Sequence, residues 1–250
     1  MSKESVFLGL PETFENKFQI YPPLIKEVVG NNYFGVYRHL LTVSQEELED
    51  EYLKKDKKQN KNNFTVPTPL EFLLINSYHD KGFEKIAKNA FKFFIKQEVT
   101  FLYEKKMILI GSIEEVIKEV SSIDNLKFLD EKNYFKFQNK IRENLGEKPI
   151  EPPNPNEHPK IRRMKALARY RDKIKAKQGS GINLLTSLAS ICCMGIGITP
   201  LNIGEMSYAA ISVIMNTYQQ KEKYEIDVAS LQAGADSKKI KPKYWIKNLD

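Results

Sequence analysis

Cysteine is almost missing from this 250-residue chain: there are two, Cys192 and Cys193, side by side in an apolar run. Neighbours on a helix point to different faces, so nothing here builds a disulfide framework, and a reducing cytoplasmic setting fits. An apolar surround raises a thiol pKa, which reads the pair as inert core residues. Histidine is nearly as scarce, with only His39, His79 and His158, none spaced with a cysteine or carboxylate as metal ligands are. Tyr78-His79-Asp80 reads as a helix end, with the histidine beside the negative pole of the dipole. No P-loop ending follows Gly179-Ser180-Gly181, which reads as a joint between helices. The stretch Met1 to Gly9 lacks the basic start and apolar core of a signal peptide. Together these absences leave no legible catalytic constellation, and no cofactor or metal is implied.

Long apolar runs are also wanting. The charge-free stretch from Gly179 to Gly204 imitates a membrane span with a basic flank. Asn183, Thr186, Ser187, Ser190, Gly195, Gly197 and Pro200 interrupt it, and its helix, Ile182 to about Met194, is only ~13 residues. That length suits a helix buried in a lobe or an oligomer, so no membrane partner is expected.

Basic residues crowd into one segment. Between Lys160 and Lys177 stand nine Lys and Arg against Asp172 alone, a local charge of +8 on a chain whose total is +7. The high pI therefore reports one segment, within which Arg162, Arg163, Lys165, Arg169 and Arg171 are candidates for electrostatic steering of an acidic partner. Clustered cations also bind phosphate backbones, but base-stacking aromatics are limited to Tyr170. The segment's own Ile161, Met164, Leu167, Ala168 and Ile174 give it an apolar face as well.

What is present is mostly helical patterning, in a mostly α fold with a small β-hairpin. Residues 2–30 read as irregular, with Leu24 to Val29 a strand or a single helical turn. Tyr33 to Leu41 is helical, and Ser44 with Glu47 opens a capping box for a helix to about Lys55. A polar loop is expected from Asp56 to Asn63. Thr68-Pro69-Leu70-Glu71 starts a helix that ends near Asp80, and the next runs from Phe83 to about Gln97. Val99 to Tyr103 and Met107 to Ile110 suit a hairpin, although its turn lacks glycine. Further helices are expected from Ile113 to Val120, capped by Ser112 and Glu115, and from Glu131 to Leu145, closed by Gly146. Five prolines between Glu147 and Pro159 mark a semi-rigid linker. The chain thus divides into an N-terminal helical lobe (1–146), the linker (147–159) and a C-terminal helical lobe (160–250).

The last fifty residues organise the rest. Asn202 with Glu205 has capping-box spacing, and apolar or small residues then recur at Ile203, Met206, Ala210, Val213, Thr217, Tyr224, Val228 and Leu231. One amphipathic helix of roughly 45 Å is expected. A break follows at Ala233-Gly234-Ala235-Asp236, then a basic, aromatic tail with Tyr244 and Trp245, the only tryptophan. An exposed tail aromatic anchors an interface; the alternative is that it folds back into a groove.

The run Lys221 to Val228, the Leu231-Gln232-Ala233-Gly234-Ala235-Asp236 break and the closing Tyr244-Trp245-Ile246-Lys247-Asn248-Leu249 resemble the ending of the tail assembly chaperones of long-tailed bacteriophages. In that family a helix is followed by a Leu-x-Ala-Gly-Ala break, and an aromatic residue with Trp lies near the C-terminus. The resemblance covers about thirty residues. It implies a non-enzymatic protein of the infected host's cytoplasm that keeps the tape-measure protein soluble while tail-tube subunits assemble around it. Such proteins are absent from the finished particle. The stripe residues Met206, Ala210, Val213 and Tyr224, helped by Tyr244 and Trp245, are then the expected client-binding face. Self-association into a homo-oligomer stays open. Two other classes stand beside this reading: a nucleic-acid-binding accessory acting through 160–178, and a structural subunit of the virion.

Overall fold

Three capped helices frame the N-terminal body, and each cap is written in the sequence beneath it. The computed structural model describes residues 3–15, 17–59 (backbone only for 53–59), 66–111, 127–151, 156–158, 160–161, 164–165, 167–169, 171, 184–236 and 239–244. Ser44 and Glu47 exchange hydrogen bonds at the start of α4 (Gln45–Gln59), Glu47 N–H donating to Ser44 Oγ at 3.2 Å. Thr68 and Glu71 do the same for α5 (Pro69–His79), with Pro69 in the first turn where its missing N–H costs nothing. Asp130 and Asn133 close a third box on α7 (Glu131–Asn144). The chain is mostly α, as its patterning implies.

Ahead of these lie α1 (Lys3–Phe7), an antiparallel pair β1 (Glu12–Phe14) and β2 (Phe18–Ile20), then α2 (Ile25–Val29) and α3 (Phe34–Thr42). The irregular reading of residues 2–30 is therefore corrected, except at Leu24 to Val29, where the helical-turn alternative forms as α2. Phe18 and Ile20 point inward with Gln19 outward, a period of two too short to stand out. The expected loop from Asp56 is helical as far as Gln59. Asp80 alone separates α5 from α6 (Lys81–Ile95), its carboxylate accepting from Gly82 and Phe83 N–H. The hairpin forms as β3 (Val99–Leu102) and β4 (Met107–Ile110), with Lys106 at φ 50 serving where glycine would be usual. A third strand, β5 (Phe128–Leu129), pairs with β4. The expected helix from Ile113 to Val120 lies outside the described residues.

The main core is aromatic. Phe91, Phe94 and Phe137 are fully buried, and Phe91 stacks on Phe137 with ring centroids 5.7 Å apart. Each such side chain contributes about 2–3 kcal/mol through removal from water. Gly146 ends α7 in the left-handed conformation at φ +70, as expected. The residues after it do not swing free. Glu147 pairs with Arg38 at 2.5 Å, Arg142 Nε donates to Lys148 O at 2.8 Å, and Asn139 holds both the N–H and the carbonyl of Ile150. Pro152, Pro153, Pro155 and Pro159 lie outside the described residues.

The C-terminal part contributes α8 (Leu184–Cys193), a 3-10 turn (Ile203–Glu205) and α9 (Tyr208–Gln232). Gly195 and Gly197 both take positive φ between α8 and that turn. A smaller core gathers Ile25 of α2 with Ile191, Ile203 and Ile211. Both parts therefore share their packing: Leu184 and Tyr208 also reach the aromatic core.

Candidate functional site

The long final helix starts later than its sequence spacing implies. Asn202 makes no capping bond; its Oδ1 accepts from Thr199 N–H at 2.7 Å and its amide donates to Gly197 O. The cap is Ser207, whose Oγ accepts from Ala210 N–H at 3.2 Å and donates to Phe7 O at 3.0 Å. A two-residue step from 205 to 207 breaks the helix because backbone bonds there go elsewhere. Ile25 N–H donates to Met206 O, and Tyr208 N–H to Pro23 O, so residues 206–208 pair as a short extended bridge with 23–25. At 25 residues, α9 is about 37 Å long rather than 45 Å.

This start fixes the fate of the predicted client-binding residues. Met206 precedes the helix and is packed on the smaller core, so it belongs to the fold and not to an open face. Ala210 is buried, in the turn that also carries Ala209. Ala209 lies so near Gly146 that a Cβ there would stand 3.3 Å from its Cα, the contact that seats α9 on α7. After Ile211 no residue of α9 is buried. Val213, Tyr224, Val228 and Leu231 are half-buried, and among the described residues none joins either core. Tyr224 meets Tyr244 edge to face with centroids 5.6 Å apart, so the tail folds back along the helix. Trp245 lies outside the described residues. What remains of the predicted face is Val213 and the Tyr224–Tyr244 pair.

All described residues between Lys160 and Arg171 are helical. Of the five steering candidates, Arg162 and Arg163 lie outside the described residues and Arg171 is exposed. Lys165 pairs with Glu157 at 2.6 Å; that partner, with smaller help from Glu46 and Glu151, raises its amine pKa. Arg169 is held furthest from solution. Its Nε and Nη2 both donate to Asp50 Oδ2 at 3.1 Å, and Nη1 reaches Glu46. Three of its N–H donors are thus spent on the acidic first turns of α4, inside its own chain. Sequence reasoning missed Glu46 and Asp50 as receptors. A signal existed: like charges four residues apart on one helix repel unless a cation sits between them.

A cleft of about 330 Å³ opens beside this contact, between the starts of α4, α5 and α7 and the strap at Ile150 and Glu151. Glu46, Glu131 and Glu151 line it with Tyr134, whose buried hydroxyl finds no partner among the described residues and is pushed well above the usual phenol range by burial. Neither histidine nor cysteine is among its described lining residues. His39, His79 and His158 are exposed; His79 sets its ring against Tyr78, and Asp80 does the capping at that junction. Cys192 is half-buried against the smaller core, but Cys193 is exposed, contrary to its reading as a core residue. Among the described residues no cluster of His, Cys, Asp and Glu is arranged to hold a metal, and no helix is long and apolar enough to cross a membrane.

Comparison with family models, with curated proteins and with solved structures gives no match to this chain.

Proposed function

We propose that this protein is a non-enzymatic binding protein whose partner lies along α9, and that the partner is the tape-measure protein of a long-tailed phage. The observation that carries the reading is the one-ended anchoring of α9: Ala209, Ala210 and Ile211 are buried, and nothing after them is. Ile214 and Met215 still rest on the smaller core, and beyond them the helix keeps its stripe for another molecule, in the helix-against-helix mode of recognition. The resemblance of Leu231 to Asp236 and of the Tyr244-Trp245 tail to the tail assembly chaperones supplies the identity of the client. The tail-tube subunits would then meet the complex in the infected host's cytoplasm, and the protein would leave before the particle is complete.

The test is co-expression with a long-tailed phage tape-measure protein, comparing wild type with Val213→Asp/Tyr224→Asp. The client's soluble fraction is expected to fall severalfold with the variant. A client that stays equally soluble overturns the assignment of this face. Met206 is unsuitable for the same test, because its replacement disturbs the smaller core. The nucleic-acid reading through 160–178 loses ground, since Arg169 and Lys165 already answer carboxylates of the same chain.

A further inference from the structure

The basic segment docks the wrong way round for a helix that merely packs. Among the described residues its contact with the body runs through charge, by Arg169 on Glu46 and Asp50. Its apolar residues are turned outward: Ile161 is 49%, Met164 63% and Leu167 55% exposed. At about 100° per residue, Met164 and Leu167 lie roughly 140° and 160° around the helix from Arg169, so the two faces are opposed. Exposed apolar residues grouped on one helix face, ringed by cations, mark a surface that another molecule covers.

The charge says which kind. Lys165 and Arg169 are spent on carboxylates of the same chain, but Lys160 and Arg171 are exposed and, at about 100° per residue, lie on the side of Met164 and Leu167, so an occupant of this face must bring carboxylates. Arg169 already shows the geometry this segment accepts, which is two carboxylates four residues apart on one helix. A phosphate backbone would answer the cations but leave Met164 and Leu167 in water. We infer that the face bearing Met164 and Leu167 binds an acidic amphipathic helix of a partner protein, with apolar residues against this face and Glu or Asp on its flanks. The inference rests on the binding-protein reading above and adds to it a second surface with its own chemistry.

Full-length protein is titrated into a labelled synthetic helix with a leucine stripe flanked by Glu. The same stripe flanked by Lys, phosphatidylglycerol vesicles and a short DNA duplex are run beside it. Binding of the Glu-flanked helix is expected, with the Lys isomer at least about tenfold weaker and Met164→Asp/Leu167→Asp losing about tenfold or more. Circular dichroism checks that this variant is folded, and Met164→Ser/Leu167→Ser gives the same loss more mildly. Val213→Asp/Tyr224→Asp is expected to bind the peptide as wild type does, so failure at α9 and failure here are read separately. The inference falls if peptide binding ignores Met164 and Leu167, if both isomers bind alike, or if only vesicles or DNA are bound.

Discussion

Ala210 and Ile226 belong to one helix and meet opposite surroundings: the first is 1% exposed, beside the Ala209 that packs against Gly146, the second 65% exposed. Nothing in local helix propensity separates them. The difference comes from three devices at the start of α9, namely the Ser207 cap, the bridge from 206–208 to 23–25, and the close approach allowed by Gly146. An amphipathic stripe states that a helix can be covered; these contacts decide how much of it the chain itself covers. The body around Phe137 is saturated with apolar neighbours, whereas among the described residues α9 joins neither core beyond Met215.

Breaking the saturated side has the largest effect. Phe137→Ala removes a ring that touches Phe14, Phe18, Phe91 and Tyr134, and is expected to lower stability by about 3–5 kcal/mol in denaturant titration. Breaking the junction comes next. Gly146→Val puts a branched side chain at a positive φ and against Ala209, and is expected to cost about 1–3 kcal/mol. Hydrogen exchange should show that loss first in the opening turn of α9 rather than in α6.

A smaller effect sharpens the contrast through pH. The Glu84 carboxyl is held at about 2, below its usual 4.5, chiefly by its bond to Lys88 and then by Lys81, against the opposing pull of burial. A folded-state pKa below the unfolded one means this stabilisation is complete above about 4.5 and is lost as pH falls toward about 2. Because Lys81 is well exposed, the gain at neutral pH is at most about 1 kcal/mol. Glu84→Gln should therefore be less stable than wild type at pH 7 by that amount and converge with it in acid. Val213→Asp/Tyr224→Asp completes the series, with an expected stability loss of at most about 1 kcal/mol, mainly from the Tyr224–Tyr244 contact, despite its larger effect on partner binding.

Much of the fold was legible where a local rule decides the outcome. The Ser44–Glu47 and Thr68–Glu71 boxes, the Gly146 terminus and the β3–β4 pairing all follow from residues a few positions apart. The strands β1, β2 and β5 were not legible, because two or three residues carry no period and their pairing is set by the core they cover. Asn202–Glu205 had the right spacing for a cap and lost it to a longer-range competitor, the bridge that takes Met206 and Tyr208 to residues 23–25. The candidate site divides in the same way. The stripe of α9 could be read, but not which end of it is spent on the fold. The basic run could be read as charge, but its intramolecular acceptors lie 119 and 123 residues away in sequence.

The central claim is that α9 beyond its first turn holds a protein partner. A tagged pull-down from producing cells, treated with nuclease and analysed by mass spectrometry, tests it most directly when run with wild type and Val213→Asp/Tyr224→Asp in parallel. The account predicts one very long, helix-rich protein with the wild type, retained after nuclease and lost with the variant. Recovery of nucleic acid alone, or of the same protein with both forms, would contradict it.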